Sequence, residues 1–137
     1  MQKMITIRER YSQLLFLLFT VMVAGCSKIS DGSQLVGVYQ ARHPDGVETI
    51  ELRADGTYTY RFNGSTKTAT EEYSATWKLE PYGGEPKVSL DNFKPRFPNA
   101  PNPGPIATLL GVEKKWGQMR LYLSYDRDQY YTRKPNE

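Results

Sequence analysis

From Leu35 to Lys134 the chain alternates apolar and polar residues in short runs, each cut off by turn residues before a helical pattern could establish itself. Alternation with period two sends every second side chain to the same face, as in a half-buried β-strand. Runs over 35–41, 47–53, 57–63, 72–80, 86–92, 108–113, 119–125 and 129–134 are rich in Tyr, Thr, Val and Trp, which strand positions favour. Between them stand Pro44-Asp45-Gly46, Asp55-Gly56, Asn63-Gly64, Gly83-Gly84 and Asp126-Arg127-Asp128, all of which read as turns.

The second and third runs fix a register. A two-residue loop at Asp55-Gly56 would set apolar Leu52 against polar Thr59. A three-residue loop, Ala54-Asp55-Gly56, instead pairs Arg53 with Thr57, Leu52 with Tyr58 and Ile50 with Tyr60. Directly opposed residues share a face, so only the longer loop buries one consistent apolar side. It also puts Gly56 in the left-handed position of a type I turn with a bulge, where glycine costs least.

Downstream, Tyr73, Ala75, Trp77 and Leu79 form one face, and Met119, Leu121, Leu123 and Tyr125 form another. The fold class is therefore all-β: an antiparallel meander that closes into a barrel or packs as a β-sandwich. Closure has the advantage of removing exposed edges from an aromatic-rich sheet.

Through Gly37-Val38-Tyr39, Asp55-Gly56-Thr57-Tyr58 and Ala75-Thr76-Trp77-Lys78-Leu79, the domain over 35–134 resembles the small lipocalin-like lipoproteins of bacteria, with Tyr39 where lipocalins usually carry Trp. The resemblance implies a lipocalin-like β-barrel. The 93–108 segment breaks the strand rhythm with Pro95, Pro98, Pro101, Pro103 and Pro105. Proline cannot donate to a β-ladder, so this is an extended loop. It either connects strands across one end of the barrel or acts as a lid or binding element there.

The composition changes sharply near residue 26. Lys3, Arg8 and Arg10 precede an apolar stretch from Leu14 to Val23, and Ala24, Gly25 and Cys26 follow. This is the layout of a secretory signal, a helical signal peptide over 1–25. The stretch is too short for a spanning helix, which needs about 20 apolar residues. Val23-Ala24-Gly25-Cys26 resembles the bacterial lipobox, with Val23 where Leu is usual. That resemblance implies cleavage between Gly25 and Cys26, and a thioether-linked diacylglycerol on Cys26, with a further acyl chain on its amino group. Two or more acyl chains hold a protein durably to a bilayer. Ser27 in place of Asp implies sorting to the outer membrane of a Gram-negative envelope. Residues 26–34 then form a lipidated tether; its eight residues after Cys26 reach about 26 Å at most.

After cleavage the chain keeps 15 basic residues against 14 acidic ones. No basic run remains to bind nucleic acid. Cys26 is the sole cysteine and His43 the sole histidine, so no zinc cluster is expected. His43 reads as an exposed turn residue, and no serine lies in a nucleophile-elbow pattern. The expectation is a non-enzymatic protein without metal or cofactor. Tyr58, Tyr60, Phe62, Trp77, Phe93 and Phe97 are the candidate ligand-binding residues, for a small apolar or amphipathic molecule inside the barrel. The alternative is a protein-interaction module, an envelope assembly factor or an inhibitor of a periplasmic enzyme, presenting its rings outward.

Overall fold

A computed structural model describes residues 28–66, 70–96, 104–123 and 126–135, with side chains for all of these but 126–128. The signal segment, Gly25, Cys26, Ser27, Phe97 and Tyr125 lie outside the described residues.

Eight strands follow one another in sequence: β1 (Gly37–His43), β2 (Gly46–Leu52), β3 (Thr57–Gly64), β4 (Thr70–Tyr82), β5 (Glu85–Phe93), β6 (Ile106–Lys115), β7 (Gln118–Leu123) and β8 (Asp126–Arg133). Each pairs antiparallel with the next, and β8 returns to β1 through Tyr39↔Arg133 and Gln40↔Thr132. The fold is a closed up-and-down barrel, not a sandwich. An eight-stranded barrel has an interior that side chains just fill or that holds one small ligand.

The β2–β3 hairpin takes the register that buries one apolar side: Leu52 pairs with Tyr58 and Ile50 with Tyr60. The Arg53 amide donates to the Thr57 carbonyl at 2.9 Å, and Gly56 sits at φ 81°. The Asp55 carboxylate accepts from the Thr57 amide at 2.9 Å and its hydroxyl at 2.7 Å, which fastens the turn.

Three expectations change. Asn63-Gly64, expected as a turn, belongs to β3, where Asn63 pairs with Val47 and Gly64 with Gly46. Asp126-Arg127-Asp128, expected as a turn, belongs to β8, because Leu123 pairs with Asp126 after a register shift beyond Tyr122. The first strand begins at Gly37 because Leu35 belongs to a 3-10 turn, Gly32–Leu35. Asp31 caps that turn, accepting from the Ser33 amide at 3.2 Å, while the Gln34 side chain accepts back from the Asp31 amide at 3.4 Å. The last residues of the expected tether are thus folded against the barrel.

Antiparallel order puts the start of β1, the end of β8 and the β2–β3, β4–β5 and β6–β7 hairpins at one end, the base. The other end, the mouth, carries the remaining connections. Leu35, fully buried, closes the base. The Tyr39 hydroxyl donates to the Leu35 carbonyl at 2.8 Å. Arg133 donates to the Gln34 carbonyl at 3.0 Å and also to that of Val36. Trp77 lies here too: its indole N–H donates to the Arg53 carbonyl at 2.9 Å, and its ring packs against Gly32. Ile50, Leu52, Leu90, Leu110 and Leu121, each no more than 1% exposed, fill the space above.

Candidate functional site

Toward the mouth the interior changes character. Inward positions of β2 and β3 alternate as Glu48, Ile50, Leu52 and Tyr58, Tyr60, Phe62, and all six are buried. Glu48 stands where the apolar alternation calls for another aliphatic side chain, and it is 0% exposed. A buried carboxylate is costly unless paired and hydrogen-bonded.

Part of that cost is met. Tyr131, 1% exposed on β8, donates its hydroxyl to Glu48 Oε2. His43 Nε2 lies 3.7 Å from the same oxygen, and Arg96 Nε lies 4.0 Å from Oε1. The remainder is unmet. Glu48 Oε1, His43 Nε2, the Tyr60 hydroxyl and Gln129 Oε1 are buried with no hydrogen-bond partner among the described residues. Burial pushes the Glu48 carboxyl above the usual carboxylate range; the Tyr131 hydrogen bond, nearby His43, the adjacent Tyr60 hydroxyl and Arg96 offset only part of this. Burial and the neighbouring carboxylate together raise the Tyr131 phenol well above its ordinary value.

Aromatic rings surround this polar group. Tyr60 stacks on Tyr73 at 4.8 Å between centroids and meets Phe93 edge-on at 5.8 Å. Phe93 in turn meets Tyr131 edge-on at 6.5 Å. Such arrangements suit the ring quadrupoles and hold the cage rigid. The Tyr73 hydroxyl accepts from the Lys94 amide at 2.9 Å, and burial pushes its phenol up to about 12.

The first residues after β5 run across the mouth. Pro95 is buried, and Arg96 lies over the Phe62 ring at 3.7 Å while its Nη2 reaches Asp45 Oδ2 at 3.1 Å. Gln129 donates to the Arg96 carbonyl at 3.0 Å. Arg96 therefore bridges an exposed acid, Asp45, and the buried one, Glu48. The rest of the proline-rich segment, 97–103, lies outside the described residues.

The sequence-derived candidates divide between the two ends. Tyr60, Phe62 and Phe93 gather around Glu48. Tyr58 is buried lower down, where its hydroxyl donates to the Asp91 carbonyl at 2.7 Å. Trp77 belongs to the base. His43, expected to be exposed, keeps only 10% of its side-chain surface, because β1 extends through it and the tight Pro44-Asp45 connection leaves it facing Glu48. Glu48, Tyr73, Arg96, Gln129 and Tyr131 complete the cluster without having been singled out as site residues. A signal for Glu48 was present: Ile50 and Leu52 face inward, and the same period carried two residues back points Glu48 inward as well.

Covalent catalysis through His43 would need a nucleophile held by the imidazole. Among the described residues no serine or threonine hydroxyl is hydrogen-bonded to His43. Nor does any group of three or more potential ligands assemble among them to hold a metal ion. No family model, curated protein or solved structure matches the chain.

Proposed function

We propose that this chain is a lipid-anchored protein of the bacterial cell envelope, held by Cys26, whose lipocalin-like barrel binds a small amphipathic molecule without transforming it. The observation that carries the reading is Glu48: a fully buried carboxylate, one oxygen of which accepts no hydrogen bond among the described residues, surrounded by aromatic rings. Unpaired buried polar atoms destabilise a fold by about 1–3 kcal/mol each. A barrel selected for stability alone would carry leucine at such a position. A ligand whose polar end donates hydrogen bonds, such as an amine, amide or hydroxyl, would satisfy Glu48 Oε1 and Gln129 Oε1. Its apolar body would lie against Tyr60, Tyr73 and Phe93.

Phe93 bears on the competing interaction reading. That reading expects exposed rings around Phe93 and Phe97, whereas Phe93 is 0% exposed. Anchorage and binding are tested separately. In envelopes, Cys26→Ser should move the protein from the membrane to the soluble fraction; retention in the membrane would refute the anchor. Solvent extraction of the purified full-length protein should release one dominant small molecule, depleted in Tyr60→Phe. Extracts that do not differ between the two would refute the ligand reading.

A further inference from the structure

The base of the barrel carries two rings that the fold does not use. Trp116 is 91% exposed at the tip of the β6–β7 hairpin, and Tyr82 is 66% exposed on the neighbouring β4–β5 hairpin. Trp116 and Gly117 form the two-residue connection between paired Lys115 and Gln118, with φ of 50° and 79°. Such a turn needs left-handed backbone at both central positions and favours Asn-Gly. A bulky side chain is disfavoured there. Tryptophan at this point costs backbone energy, and its ring contact is with Lys115, whose Nζ lies 5.0 Å from the centroid. A residue held in an unfavourable conformation with its ring in solvent points to something outside the barrel.

The position of these tips says what that is. They project from the end at which residues 28–36 lead into β1, so they face the same way as the anchor assigned above to Cys26. From Cys26 to the start of the 3-10 turn at Gly32 the chain spans about 20 Å at most when extended. Lys115 adjoins the ring and is exposed at the tip. Tryptophan and tyrosine settle at the headgroup level of bilayers, and neighbouring lysines are drawn to anionic lipid.

We infer that the base is a membrane-docking face. Trp116 and Tyr82 enter the headgroup layer, Lys115 meets phospholipid phosphates, and the barrel stands with its mouth away from the bilayer. This rests on the lipid anchor of the proposed function, and the test separates the two. The lipidated full-length protein is reconstituted in vesicles of phosphatidylethanolamine and phosphatidylglycerol, with or without lipids brominated near the headgroup. Trp116→Asn suits the turn and retains the fold. The emission lost in Trp116→Asn relative to the unsubstituted protein, with Trp77 present in both, is the Trp116 signal.

Docking predicts that brominated lipid quenches this signal at least about twofold and that the protein floats with the vesicles. Flotation with an unquenched, water-exposed signal would overturn docking while leaving the anchor intact. A signal shielded from a water-soluble quencher in whole envelopes, yet untouched by brominated lipid, would assign the tip to a protein partner and also overturn it. Failure to float would refute the anchor, and the docking face with it.

Discussion

Tyr131 and Glu48 lie 83 positions apart in sequence and meet inside the barrel, where the phenol donates to the carboxylate and both side chains are almost wholly buried. Closure of β8 onto β1 brings them together. This pair anchors the polar group at the mouth.

Glu48 should make the unliganded barrel less stable as pH rises. Its folded-state pKa is raised above the ordinary 4.5, so over that interval the native state holds a proton that the unfolded chain has lost. Stability is then greatest below the unfolded value and falls as pH climbs through the folded one. Glu48→Gln removes the titration. Urea denaturation across this range should show a slope in the native protein that the variant lacks, and above it the variant should be more stable by about 1–2 kcal/mol.

Tyr131→Phe removes the hydrogen bond that Tyr131 donates to Glu48 Oε2. Leaving the buried carboxylate without its donor should cost about 1–3 kcal/mol. In the Glu48→Gln background the same substitution should cost less, because the acceptor there is neutral. A double-mutant cycle in urea measures the coupling; equal costs in both backgrounds would mean that the pair does not interact.

At the base, Leu35 and Tyr39 tie the 3-10 turn to the barrel. Leu35→Ala should destabilise by about 2–5 kcal/mol through loss of buried volume. Tyr39→Phe removes only the bond to the Leu35 carbonyl and should cost about 0.5–1.5 kcal/mol. Hydrogen exchange should locate the effect of Tyr39→Phe in the amides of 33–36, with the mouth unchanged.

Gly56 sits at φ 81°, where an added Cβ meets the Trp77 carbonyl oxygen only at 3.7 Å. The cost of Gly56→Ala is therefore conformational, about 1–2 kcal/mol. A melting temperature unchanged by this substitution would contradict the turn assignment.

The β2–β3 hairpin was legible in the sequence because its register depends only on local alternation and turn length. The inward faces of Tyr73-Ala75-Trp77 and Met119-Leu121-Leu123 were legible for the same reason. Choosing a barrel over a sandwich was not, since that depends on Tyr39 meeting Arg133 at the far end of the chain. The height of each ring along the barrel axis was also hidden. Trp77 and Tyr60 are both inward and aromatic, yet strand stagger sends one to the base and the other to the mouth. Arg96 was read only as part of a proline-rich loop; its contacts with Phe62, Asp45 and Glu48 exist only once β1, β2 and β3 are assembled.

The most direct test of ligand binding at Glu48 is native mass spectrometry of the full-length protein, purified from its native cells in mild detergent, beside Glu48→Gln and Tyr60→Phe. Binding at Glu48 predicts one reproducible added mass on the unsubstituted barrel beyond the lipid proposed on Cys26, lost on denaturation and reduced in both variants. An added mass that persists unchanged in both variants, or a barrel that carries none even when supplied with envelope extract, would contradict it.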